Sequence, residues 1–440
     1  MAKNKLQLPP LKNKKPVWAS LGFMGLGQLL FQQQYVKGAF YTLIELLVLI
    51  NSHHFIKAIT GLITLGDPQP DLPIRQRPNS IFMMVEGIIF LILLALFILL
   101  YISNVRDAIK TQRNYERTGH YPGTRAFMSS LADTSFAVVG LSPAMLMILF
   151  FVVLPLVFSA MLAFTNYSSP HHIPPANTVD WVGVENFQTL AGRSLWAGAF
   201  GRTAMWTVLW ATLATTTCYV GGLLIALALI NKNIRFPNFF RVVYILPYAV
   251  PAMLSLMVWR NLLNGQFGPI NRMLMEWGWI SQPIHWLSDF TLARTSMVVV
   301  NLWLGFPYFM MLITGVMTSV PKDLYEASQI DGANPRVQFF KITMPLVLYQ
   351  TMPLFIMSFS YNLNNFGAVY FLTGGGPTDL ATTQSGAGAT DILMSWMYKL
   401  TLDLRQYNIA AVLSILVFLV IAPFAIYNFS RTKAFKEGEL

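Results

Sequence analysis

Residues 408–429 read NIAAVLSILVFLVIAPFAIYNF and contain no Asp, Glu, Lys or Arg. A run of about 20 mostly apolar residues is what an α-helix needs to cross the ~30 Å hydrocarbon core of a bilayer. A helix satisfies its own backbone hydrogen bonds there, which an open chain cannot do. The stretch therefore reads as a membrane span, and the rest of the chain repeats its pattern. Further apolar runs lie at roughly 38–64, 80–103, 136–164, 203–230, 239–260, 296–320 and 346–372. The first of these is interrupted by Glu45 and by Asn51-Ser52-His53-His54. The expected fold class is an all-α polytopic membrane protein with about eight transmembrane helices.

Composition agrees with lipid as the solvent. Apolar residues make up 55% of the chain and charged residues 11%, against roughly a quarter charged in soluble domains. Cytoplasmic loops are enriched in Lys and Arg. With the amino terminus inside, segments 1–37, 104–135, 231–241, 321–345 and 430–440 are cytoplasmic, and they hold 20 of the 30 basic residues. An even number of spans then puts both termini inside. The net charge of +11 is accounted for by basic loops lying against anionic lipid headgroups. Its spread over five loops argues against a nucleic-acid partner.

The amino-terminal apolar stretch, Val17 to Phe31, follows Lys12, Lys14 and Lys15 and is broken by Gly22, Gly25 and Gly27. It ends in Gln32-Gln33-Gln34 without a small-residue cleavage site, so an interfacial or re-entrant segment is expected rather than a removed signal. The single cysteine, Cys218, lies within the fourth span and is expected to be a small packing residue.

Several functions are excluded by what is missing. No Gly-Lys dipeptide occurs, so there is no phosphate-binding P-loop. No His-Glu-x-x-His or Cys-x-x-Cys spacing occurs, and the pairs His53-His54 and His171-His172 are poor joint ligands because neighbours point apart. Neither a metal nor any cofactor is expected in this chain. The centres of the spans after the second lack Asp, Glu, Lys and Arg, the groups that proton- and sodium-coupled carriers generally use. A secondary carrier is the alternative reading. Otherwise the energy for uphill transport must come from another subunit.

Segment 321–345 is the place to receive it. Pro321 suits a first helical turn and Asp323 places negative charge near the positive helix end. Gly332 can take the positive-φ conformation that ends a helix. Asn334 is then an N-cap, with Pro335 in the first position of a second short helix. Such a helix–Gly–helix knob is suited to a partner's groove, or else lies as an ordinary amphipathic loop on the headgroups.

The spacing Glu326-Ala327-Ser328, three residues, Gly332, nine residues, Ile342-x-Met344-Pro345 resembles the signature of importer-type ABC permeases, with Met344 in place of Leu. The resemblance implies that Glu326, Ala327, Ser328, Asp331 and Gly332 couple the chain to an ATPase subunit. From about residue 136 onward the chain resembles the larger permease of maltose and maltodextrin importers. Three stretches carry this likeness: Leu246-Pro247-Tyr248-Ala249-Val250-Pro251, Trp303-Leu304-Gly305-Phe306-Pro307-Tyr308, and Ser358 to Phe366.

In the last stretch Ser358, Tyr361, Asn362 and Asn365 stand at i, i+3, i+4 and i+7, the spacing of one helix face. Amides, a hydroxyl and an aromatic ring suit a neutral sugar, and equally suit hydrogen bonding between membrane helices. The resemblance implies that these four line a solute path, together with Tyr248, Leu304, Gly305 and Tyr308. Pro247 and Pro251 are expected to disrupt the helix around Tyr248. Ala252 departs from a serine found in the maltose permeases. Loop 165–202 is too short for their extra periplasmic domain, so the chain is more similar to the Gram-positive permeases.

By the same resemblance the fold is that of a type I ABC importer permease. Residues 1–37 form an amino-terminal segment, 38–135 carry two peripheral spans, 136–430 form a six-helix core, and 431–440 a cytoplasmic tail. The implied partners are a second homologous permease, two cytoplasmic ATPase subunits that bind ATP and Mg, and an extracellular solute-binding protein that faces loop 373–407. The implied cargo is a maltose- or maltodextrin-type oligosaccharide, or alternatively a galacto-oligosaccharide or cyclodextrin. The chain itself is expected to be a transport subunit of the bacterial cell membrane without a catalytic site.

Overall fold

The apolar runs form helices, and where those helices break, proline or a polar cluster sits at the break. In the computed structural model, residues 11–69, 71–123, 136–172, 178–192, 194–230, 234–378 and 385–430 are described. They form two units, Met1–Val182 and Gly183–Leu440.

The first unit contains α1 (Lys15–Gly22), α2 (Leu26–Leu30), α3 (Tyr35–Ile50), α4 (Ser52–Thr64), α5 (Ser80–Thr118), α6 (Phe136–Ile148) and α7 (Leu154–Leu162). The interrupted first span is a bent pair: α3 and α4 meet at 58° at Asn51, within the polar cluster of the sequence. Asn79 caps α5 by accepting from the amides of Ile81 and Phe82. Gly87 faces Leu62 at a distance that leaves no room for a side chain. Between α6 and α7 the backbone makes one π turn, Leu149–Val153, just before Pro155. Proline removes an amide and crowds the preceding turn, and a widened turn absorbs both.

The second unit contains α8 (Glu185–Gly192), α9 (Ser194–Ile230), α10 (Pro237–Ala249), α11 (Ala252–Leu262), α12 (Pro269–Glu276), α13 (Phe290–Ser319), α14 (Lys322–Ile330), α15 (Pro335–Gln338), α16 (Met344–Leu363), α17 (Phe366–Leu372), α18 (Leu393–Leu402) and α19 (Tyr407–Ser430). Helix α9 crosses α13 at small residues. A Cβ on Gly222 would lie 2.6 Å from Phe309 Cβ, and one on Gly305 would lie 2.6 Å from Cys218 Sγ. Without a hydrophobic drive between helices in lipid, close backbone approach of this kind supplies the packing attraction. Around the crossing, Tyr219, Phe309, Met310, Ile313 and Val347 form a buried cluster. A second cluster centres on Trp206, Trp210, Met297 and Val300.

Among the described residues five helices are long and apolar enough to span a bilayer, or seven if each bent pair counts as one span. The second bent pair is α10 and α11, at 89°. Its cause is local: Val250 is extended (φ −87, ψ 137), the conformation favoured before proline, and Pro251 is the N-cap of α11. The eighth expected span corresponds to α19. The count of eight is thus approximate, with two expected spans sharply bent.

Residues 385–406 bond to one end of α9 and α13. Trp206 Nε1 donates to Thr390 O (3.2 Å), and Arg294 Nε to Ala389 O (2.8 Å). The Arg294 guanidinium also sits 4.1 Å from the Trp206 ring centre. Within the segment, Asp391 is fully buried. It accepts from Gly388 N (2.7 Å), Ser395 Oγ (2.8 Å) and Lys399 Nζ (2.6 Å). Gly375 (φ 81) passes so close to this carboxylate that a Cβ there would strike it. Burial pushes the Asp391 carboxyl up from the ordinary carboxylate range, and Lys399 pulls it back.

A raised folded value means that Asp391 contributes most below the ordinary carboxylate range and loses that contribution as pH rises through the folded value. Lys399 limits the loss. Lys399→Met should therefore destabilise the segment by about 3–5 kcal/mol at neutral pH, less so at acid pH. Asp391→Asn in the same chain should recover most of it. Thermal unfolding of the parent chain and the two variants at two pH values checks this, and a pH-independent loss in Lys399→Met would contradict it.

Candidate functional site

Segment 321–345 is built by its caps. Helix α14 ends where Gly332 takes φ 77, and the amide of Ala333 donates to Ser328 O (2.9 Å). Asn334 accepts from the amide of Val337 (2.9 Å), which caps the next helix with Pro335 at its start. Pro321 sits one position earlier than expected, as the N-cap of α14. The second helix is also not short. It runs from α15 through a π turn, Phe339–Thr343, into α16, so that 335–363 is one continuous rod. Again the π turn precedes a proline, Pro345.

One side of α14 is tied to this rod. Tyr325 Oη lies 2.9 Å from Thr343 Oγ1, and Gln338 Nε2 donates to Ser328 Oγ (2.8 Å) and to Tyr325 O (3.2 Å). The other side is open. Glu326, Ala327, Asp331 and Gly332 are all exposed, and Ile330 is 88% exposed. An exposed isoleucine flanked by two carboxylates on a clamped helix is a surface fit for a groove of mixed apolar and basic character.

Of the residues expected along the solute path, Tyr248 on α10 and Tyr308 on α13 come together, with ring centres 6.3 Å apart. Tyr248 is half exposed. Leu304 stands one turn before Tyr308 and packs on the Trp206 cluster. Gly305 faces Cys218 at the α9–α13 crossing, so its lack of a side chain serves helix approach.

The expected four-residue face is shorter than its spacing implied. Helix α16 ends at Leu363, and Asn365 caps α17 by accepting from the amide of Ala368 (3.2 Å). Ser358, Tyr361 and Asn362 remain on α16. Asn362 is buried, and its Nδ2 donates to Thr215 Oγ1 (3.0 Å), while Asn365 Nδ2 donates to Asn362 Oδ1 (3.3 Å). Tyr361, beside it, is 67% exposed. Asn362 and Asn365 thus make interhelical hydrogen bonds in this conformation, and Tyr361 presents a free ring.

Sequence reasoning missed the partners of this network. Thr215 is buried on α9, Tyr219 Oη lies 2.9 Å from Thr351 Oγ1, and Asn301 Nδ2 donates to Cys218 Sγ (3.4 Å). The signal was present in Thr215-Thr216-Thr217-Cys218-Tyr219, a polar run at the centre of an otherwise apolar span. Among the described residues no group of His, Cys, Asp and Glu could hold a metal ion.

The model of the family described as "Binding-protein-dependent transport system inner membrane component" matches residues 218–434. The galactooligosaccharides transport system permease protein GanP of Bacillus subtilis is 36% identical over 414 residues, covering 94% of this chain and 96% of that one. The maltodextrin transport system permease protein MdxF of the same organism is 33% identical over 425 residues, 94% and 95% of the two chains. The maltose/maltodextrin permease protein MalF of Escherichia coli is 39% identical over 232 residues, 52% of this chain and 45% of that one. In fold, a bacterial ABC transporter involved in alginate import superposes with a TM-score of 0.54 at 20% identity, over 70% of this chain and 99% of its own. Helices, bends and full-length likeness lead to one conclusion: the chain belongs to the family of binding-protein-dependent transport system inner membrane components, as a membrane-spanning permease subunit.

Proposed function

We propose that this permease imports a neutral oligosaccharide of the maltodextrin or galacto-oligosaccharide class, driven by ATP hydrolysis on separate subunits. The observation that carries this is likeness along nearly the whole chain to two permeases named for such sugars. Spans after the second, free of central charge, fit a neutral cargo, and the exposed knob fits an external source of energy. The galacto-oligosaccharide class has its own support in the higher identity, 36% against 33%. Transport assays with a panel of labelled oligosaccharides test the proposal, and uptake that survives mutation of the ATPase would count against it.

In this proposal 136–430 forms the transport core and pairs with a second homologous permease. Two ATPase subunits with ATP and Mg grip Glu326, Ala327, Ser328, Asp331 and Gly332, and an extracellular binding protein docks over 373–407. Both termini and segment 321–345 lie in the cytoplasm. Tyr248, Tyr308 and Tyr361 offer rings to pyranose faces and Ser358 a hydroxyl, while Asn362, Asn365, Leu304 and Gly305 support them through helix packing and interhelical bonds. Ile330→Cys, at a fully exposed position, should react with a membrane-impermeant thiol reagent only in opened cells.

Nothing lies within 4 Å of a Cβ built on Gly332, so the cost of a side chain there is conformational alone. Gly332→Val should strain the turn by at least ~1 kcal/mol and uncouple transport from ATPase activity. Gly332→Asn, which tolerates positive φ, should retain more of both. Equal transport by the two variants would remove the conformational role.

The two neighbours at the end of α16 should separate sugar contact from interhelical bonding. Tyr361→Ala should weaken apparent sugar affinity by roughly five- to a hundredfold, through about 1–3 kcal/mol, with the complex still stable. Asn362→Ala leaves Thr215 Oγ1 without its partner, and should lower thermal stability by about 1–3 kcal/mol. An affinity loss for Asn362→Ala that stability does not explain would extend the sugar site to that residue.

A further inference from the structure

Helix α5 continues well past its apolar part, and its two faces there have opposite fates. Asn104, Ala108, Thr111 and Gln112 are buried beneath the amino-terminal hairpin of α1 and α2. Gln28 Nε2 donates to Asn104 Oδ1 (2.9 Å), Asn104 Nδ2 to Ser20 O (3.1 Å) and Gln32 Nε2 to Ala108 O (2.8 Å). The opposite face carries Arg106, Lys110, Arg113 and Arg117, at i, i+4, i+7 and i+11, a spacing that keeps four cations in one stripe. Together with Ile109 and Asn114 they line a shallow cleft of about 400 Å³.

The nearby carboxylates do not neutralise this stripe. Asp107 is paired with Lys37 at 2.6 Å. Glu116 accepts from the amide of Asn13 (3.0 Å) and from Gln112 Nε2 (3.3 Å) on the hairpin side. Among the described residues none of the four cations forms an ion pair, and Arg113 Nε is buried without a hydrogen-bond partner.

The hairpin also fixes the level of the stripe. Trp18 and Leu30 are each 68% exposed, and Leu21 and Phe31 are exposed beside them. Their bonded neighbours tie them to the stretch of α5 from Tyr101 to Ala108. Exposed Trp, Leu and Phe on a short amphipathic hairpin belong at the membrane interface. Arg106 and Lys110 therefore stand at headgroup depth, with Arg113 and Arg117 following toward the aqueous side.

We infer that the Arg106–Arg117 face is a binding site for an anionic phospholipid, its phosphate held by Arg106 and Lys110, with Arg113 and Arg117 adding positive potential on the aqueous side. The charge, the depth and the absence of an ion pair to these cations among the described residues all match a phosphodiester headgroup. Long basic side chains can turn back toward the bilayer to reach it, and each cation near a headgroup surface strengthens attachment.

Native mass spectrometry of the purified full-length chain tests this, with dihexanoyl phosphatidylglycerol, dihexanoyl phosphatidylcholine and inorganic phosphate as probes. Phosphatidylglycerol should bind at least about tenfold more tightly than phosphatidylcholine. The variant Arg106→Gln/Lys110→Gln/Arg113→Gln/Arg117→Gln should lose that preference. Replacing the three arginines by lysine should keep it, as should the control Lys14→Gln/Lys15→Gln. Undiminished phosphatidylglycerol binding by the glutamine variant overturns the inference. So does full competition by inorganic phosphate, which would mark a free-anion site.

Discussion

The backbone approach of α9 and α13 is the constraint on which the second unit depends. Gly222 and Gly305 leave no space for side chains where the two helices meet. That proximity lets α9 reach partners on several elements at once. Along its length Trp206 bonds Thr390, Thr207 accepts from Leu393 N, Thr215 bonds Asn362 and Tyr219 meets Thr351. A wider crossing would move the whole row. In lipid, where apolar side chains gain nothing by leaving one hydrocarbon for another, such packing and polar contacts are what hold helices together.

Proline organises the same framework at the level of the backbone. Pro251 turns one span through 89°, while Pro155 and Pro345 each follow a single π turn in a helix that continues. The difference lies in the neighbouring residues. Pro247 and Pro251 stand one turn apart and remove two ladder hydrogen bonds from adjacent turns, leaving Val250 free to become extended. A lone proline can be absorbed by one widened turn.

Much of this was legible from residues alone. Apolar run length placed the spans, because the bilayer imposes one length on all of them. Gly332 and Asn334 announced their turn and cap, because positive φ and an unpaired helix-start amide each select few residue types. The face from Ser358 to Asn365 was less legible. Helical periodicity assumes the helix continues, and nothing in Leu363-Asn364-Asn365 marks its end as strongly as Gly or Pro would. The bonding of Asn362 to Thr215 lay equally out of reach, since periodicity gives the face of one helix but not the neighbour it meets. Asp391 was hidden for another reason: a turn-rich segment gives no period from which burial can be read.

The continuity of 335–363 has a mechanical consequence. About 29 residues at 1.5 Å rise make a shaft roughly 43 Å long. The knob is clamped to one end by Tyr325–Thr343 and Gln338–Ser328, and Tyr361 stands near the other. If the shaft pivots near its middle, a tilt of about 10° shifts both ends by roughly 4 Å in opposite directions. A few ångströms of pull on the knob would thus arrive at the tyrosine as displacement of similar size and opposite sense. The two clamps grip the shaft at either end of the π turn at Phe339–Thr343, so they splint that turn and let knob and shaft tilt as one piece.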